Sequence, residues 1–147
     1  MLGTSTYMVK KLNSLVPVII LVSSLLATSG CYLLRYEAVM DTHLTLMEQY
    51  STKLQYMADN GLEVSGGDWV EFEYPGERAE EFHRIVEESF PERKSLQAFG
   101  ETLVLYQALT VNPEILRGAD PATEVAVRRE PLLEAIRKNR ELLAAEG

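Results

Sequence analysis

Apolar side chains follow three different rhythms along this chain. From Leu12 to Leu34 they run with no charge between Lys11 and Arg35, although Ser14, Pro17, Ser23, Ser24, Thr28 and Ser29 interrupt them. After that run the rhythm turns helical: Leu33, Met40, Met47 and Leu54 stand seven apart, and Tyr36, His43, Tyr50 and Met57 fall three after each. The two sets form one stripe at coiled-coil spacing. Val39, Leu44 and Leu46 widen it, and a face that broad packs into a bundle rather than a two-stranded seam. The spacing predicts a long first helix over about 33–59, stopped by Asn60-Gly61, a pair suited to the left-handed turn that ends helices.

The third rhythm has period two. Val70, Phe72 and Tyr74 alternate with Glu71 and Glu73, which predicts a half-buried strand. Gly66-Gly67 can turn a hairpin between 62–64 and 69–74. Two strands are marginal alone, so this piece must lean on helices, with Trp69 as its packing anchor. The helical period then returns. Ala79, Phe82, Ile85 and Val86 predict a helix over about 77–89. Ser89-Phe90-Pro91-Glu92 reads as a capping box opening the next helix, whose inward stripe is Leu96, Phe99, Leu103 and Tyr106 up to Leu109. Asn112-Pro113 and Asp120-Pro121 repeat the cap-then-proline signature, first for a short turn ending at Gly118 and then for the last helix. Pro131 is expected to kink or restart that helix. Leu132, Leu133, Ile136 and Leu143 face inward, and Arg137 can pair with Glu141 on the outside. The fold expected is mainly α: a small bundle of about four helices with a minor β-hairpin, one domain over 31–147 behind an N-terminal segment.

That segment has the order of an export signal. Lys10 and Lys11 form a positive start, LNSLVPVIILVSSLLA follows without charge, and small, polar TSG precedes Cys31, the single cysteine of the chain. The stretch resembles a bacterial lipoprotein signal: Ser29, Gly30 and Cys31 fit the last three lipobox positions, and Thr28 departs from the usual leucine. The resemblance covers the leader only. It implies cleavage between Gly30 and Cys31, diacylglyceryl transfer to the Cys31 thiol and acylation of the new amino terminus. One fatty chain binds only marginally, and two or three on one residue anchor stably. A second reading is a spanning helix over 12–34, since 23 residues cover roughly 34 Å. Lys10 and Lys11 would hold its amino terminus in the cytoplasm. Cleavage without lipid is a third. All three export the domain, and the first two hold it in the cell envelope, facing the periplasm or exterior, with the membrane as its first partner.

Charge narrows the other partners. The chain has net charge −8, and without the leader 12 basic residues stand against 22 acidic ones. Nucleic acid and anionic lipid surfaces need clustered Lys and Arg, so neither suits the domain. Asp59 to Glu92 holds eleven acidic residues and two basic ones, Arg78 and Arg84, while Arg117 to Gly147 holds six of each. The acidic stretch reads as a solvated face or as a docking surface for a basic partner or divalent cations, and no EF-hand spacing supports the cations.

Catalytic signatures do not emerge. There is no GxSxG elbow, Walker loop, HExxH or CxxC. Two metal patterns are present. Glu80 and His83 make one Glu-x-x-His unit, which di-iron bundles use twice. Met40, His43 and Met47 share one helical face and would suit Cu(I), although methionine is also a common filler of core gaps. A buried neutral His43 requires a hydrogen-bond partner, such as Glu48, Tyr50 or a residue of another helix. No cofactor is expected. The function expected is that of a non-enzymatic envelope accessory or protein-interaction module, and the alternative is an extracytoplasmic protein binding a small apolar or metal ligand between helices.

Overall fold

The computed structural model describes residues 35–147. The chain divides into two compact units, residues 1–37 and 38–147, and the helical bundle belongs to the second. The expected leader or anchor, with Gly30 and Cys31, lies outside the described residues.

Four α-helices and one short 3-10 helix make up the described fold. Helix α1 is helical from residue 35 through residue 59. It stops as the spacing predicts: Gly61 takes φ +63, and the Leu62 amide donates back to the Met57 carbonyl at 2.9 Å. Helices α2 (Val70–Glu87) and α3 (Lys94–Thr110) follow, then the 3-10 turn Pro113–Leu116 and α4 (Pro121–Glu146). Within the second unit α1 meets all three partners. His43 lies against Phe82 of α2 and Phe99 of α3, and Arg140 of α4 reaches Asp41, Thr45 and Glu48. Met40, Leu44, Met47 and Leu54 are fully buried, together with Phe99, Tyr106, Val125 and Leu132 from α3 and α4.

The predicted hairpin is replaced by helix. Residues 62–64 have no regular structure, and 70–74 form the first turns of α2. A strand in a half-buried hairpin would turn Val70, Phe72 and Tyr74 to the same side. Here only Phe72 is buried, and Val70 and Tyr74 are each 55 % exposed. The controlling set is Trp69, Phe72, Gly76 and Ala79, all buried and spaced as one helical face. A helical turn starts at Ser65, whose carbonyl accepts from the Asp68 and Trp69 amides at 3.0 and 3.1 Å. The Ser65 hydroxyl accepts from the Asp68 amide and donates to its carboxylate. Ser-Gly-Gly-Asp thus works as a capping sequence rather than as a hairpin turn. Trp69 is the anchor expected, 2 % exposed, with its indole N–H donating to the Thr110 carbonyl at 2.9 Å.

Two further helix boundaries also depart from expectation. Helix α3 opens at Lys94 and not at the Pro91 turn. Its first turn is capped from across the fold: Glu146 of α4 accepts from the Ser95 amide at 3.0 Å and from the Ser95 hydroxyl. A carboxylate there satisfies an orphan N–H and meets the positive end of the helix dipole. Helix α4 runs unbroken through Pro131, so no restart occurs. The caps at Asn112 and Asp120 are as predicted, accepting from the Glu114 and Thr123 amides at 3.0 and 3.2 Å.

Candidate functional site

Where α1, α2 and α3 meet, two histidines share one aromatic cluster. The heptad stripe of α1 carries His43 inward, and its ring sits 5.1 Å from Phe82 and 6.2 Å from Phe99. Phe82 and Phe99 meet edge to face at 5.5 Å. His83, next to Phe82 on α2, lies parallel to Phe99 at 6.2 Å. Gly100 makes room for it: a Cβ at that position would stand 3.0 Å from the His83 Nε2.

Among the described residues the hydrogen bond expected for His43 does not form. Its Nδ1 is buried without a partner; of the partners expected, Glu48 accepts from Arg140 at 2.7 Å and Tyr50 packs edge-on against Phe72 at 6.0 Å. Burial, and next the positive charge of Arg78, hold its pKa below the ordinary value of 6.5. Both effects favour the neutral ring over the charged one.

The metal candidates engage different neighbours. Met40 accepts from Asn139 Nδ2 of α4 at 3.7 Å, Met47 is fully buried, and His43 turns to α2 and α3. Glu80 accepts from Gln107 at 3.3 Å, whereas His83 Nδ1 stands 3.9 Å from Glu87. Among the described residues no three His, Cys, Asp or Glu side chains are placed to hold a metal ion. Two open grooves, of about 770 and 980 Å³, lie elsewhere: one between the 89–94 loop and the end of α4, the other along Gln55, Arg129 and Leu133.

The chain matches no protein family, no curated protein and no solved structure. Polar side chains also tie the helices of the bundle together. The most connected is Arg140, which donates to Asp41 at 3.0 Å, Thr45 at 2.9 Å and Glu48 at 2.7 Å. Arg129 donates to Thr52 at 2.9 Å and Ser51 at 3.4 Å. Asn139, fully buried, donates to the Ser95 carbonyl at 2.8 Å. Sequence reasoning passed over all three. Their signal is the polar stripe Asp41, Thr45, Glu48 and Thr52, whose 4-3-4 spacing marks a second face of α1 that meets another helix. These contacts fix helix register; no nucleophile, base and orienting group come together among them.

Proposed function

We propose that this protein is a membrane-tethered, extracytoplasmic lipoprotein, held by lipid on Cys31, whose helical domain is a non-enzymatic interaction module of the cell envelope. The observation that carries the reading is the leader. Lys10-Lys11, an uncharged apolar run and the sole cysteine placed directly after Ser29-Gly30 make the order that export and lipidation require. The interior supports the second half, because its junctions are filled by Phe72, Phe99, Tyr106 and Leu132 and leave the recognition surface to the outside. Among the described residues no helix is long and apolar enough to cross a membrane; the run 12–34, where a spanning helix would fall, lies outside them.

The deciding experiment is the intact mass of the protein extracted from membranes, beside a Cys31→Ser variant. The expected mass is that of a chain beginning at Cys31 plus its acyl groups, with the variant left unprocessed. A full-length mass without lipid would instead establish the spanning anchor. The alternative, a ligand held between helices, draws on the unpartnered Nδ1 of His43. It requires Cu(I) to raise the melting temperature of the wild type and not of His43→Phe.

A further inference from the structure

Helix α2 turns a line of side chains outward that the other described elements leave exposed. Val70 and Tyr74 are each 55 % exposed and Ile85 is 53 % exposed. With the exposed Glu77 and Glu81 they occupy i, i+4, i+7, i+11 and i+15, one line down the helix opposite the buried Phe72, Gly76 and Ala79. At 1.5 Å per residue that line is roughly 22 Å long, about four turns. Single exposed apolar residues are ordinary on a protein surface. Three on one unpartnered helix face form a strip that another helix can cover.

Charge decides which occupant fits. Helix α2 carries six carboxylates against Arg78 and Arg84. Glu81 pairs with Arg78 at 3.2 Å and Glu71 with Lys53 at 2.7 Å, but Glu73 and Glu77 meet no basic group at ion-pair distance among the described residues. Three of the four arginines of α4 are paired with carboxylates, Arg128 with Glu124, Arg137 with Glu134 and Glu141, and Arg140 with Asp41 and Glu48, and Arg129 donates to the Thr52 and Ser51 hydroxyls of α1. Negative potential is therefore left on α2. A second copy of this chain would set like charges face to face, and anionic lipid or nucleic acid would be repelled for the same reason. A basic helix is attracted. Tyr74 holds the Arg78 guanidinium 5.9 Å from its ring centre, as an aromatic face attracts a cation.

We infer that the outer face of α2 docks a basic amphipathic helix of a partner protein. Apolar side chains of that helix seat among Val70, Tyr74 and Ile85, and its Lys or Arg meet Glu73, Glu77 and Glu81. The inference rests on the reading of the chain as an interaction module and names the face and the chemistry of the partner.

Site-directed photo-crosslinking of the full-length chain in the cells that make it tests this. Benzoylphenylalanine is placed at Tyr74 or Ile85, and for comparison at Val104 or Val127, exposed positions on α3 and α4. The captured peptide is then sequenced. The expected result is capture at 74 and 85 of a protein segment with Lys or Arg beside apolar residues at helical spacing. Its yield should fall about tenfold or more when Glu77→Lys and Glu81→Lys are combined, with the melting temperature unchanged. Capture at 74 and 85 of an acidic or uncharged segment, or of a second copy, overturns the inference, as does a yield indifferent to the charge reversal. Capture only at 104 or 127 overturns it while the interaction-module reading survives; no capture at any of the four positions overturns both.

Discussion

At the scale of single residues, tight contacts on α2 and α3 determine the outcome of otherwise mild substitutions. Gly76 is a case where two effects compete. Alanine is the better helix former by about 1 kcal/mol, yet its Cβ would stand 3.3 Å from the Tyr106 ring. That ring cannot retreat, because it is fully buried and its hydroxyl donates to the Phe72 carbonyl at 2.6 Å. Overpacking of this kind costs about 1–3 kcal/mol, so Gly76→Ala should destabilise the fold on balance, measured as a lower midpoint in urea. His43 yields a pH dependence. Its folded pKa lies below the ordinary 6.5, so as pH falls through that range the unfolded chain takes up a proton that the folded chain refuses. Stability is therefore complete above about 6.5 and declines below it. Melting temperatures at pH 7.5 and 5.5 should show the decline in the wild type and a smaller one in His43→Phe; equal declines would remove His43 as the cause.

At the scale of elements, the useful contrast is between caps supplied locally and caps supplied from a distance. Asn112 and Asp120 reach amides within three residues of themselves, so the sequence shows both partners side by side and those helix starts were legible. The cap of α3 was not, because Ser95 and Glu146 are brought together only when α3 packs on α4. Replacing Glu146 with alanine removes the carboxylate that accepts from the Ser95 amide and hydroxyl. It should cost about 1–2 kcal/mol, read as a lower melting temperature, with Glu146→Gln losing less because one acceptor oxygen remains. The missing hairpin has a different cause. Alternation at Val70, Phe72 and Tyr74 was genuine, but two of the three positions face water, so the pattern carried no information about burial. The Ser65-to-Asp68 cap was present in the sequence and was overshadowed by the Gly-Gly between them. The aromatic cluster was half legible: the α1 stripe placed His43 inward, but nothing local announced that Phe82 and Phe99 would take the place of a hydrogen-bond acceptor.

At the scale of the whole molecule, the buried apolar side chains among the described residues lie in the second unit, Tyr36 apart. Met40, Leu44, Met47 and Leu54 on α1 reach the interior made by Trp69, Phe72, Phe99, Tyr106, Leu132 and Ile136, and the crosslinks Arg140–Glu48 and Gln55–Ala122 tie α1 to α4. None of these contacts needs a residue before Ala38, and residues 38–147 form a compact unit by themselves. A chain of this length can bury enough apolar surface to fold without disulfides. Expressed alone, residues 38–147 should give a helical circular dichroism spectrum and one cooperative unfolding transition, with a stability on the order of 5–15 kcal/mol. A broad, gradual melt with retained helicity and dye-binding apolar surface would show that the first 37 residues are needed to complete the core, and the proposed division between a targeting leader and an interaction domain would then fail.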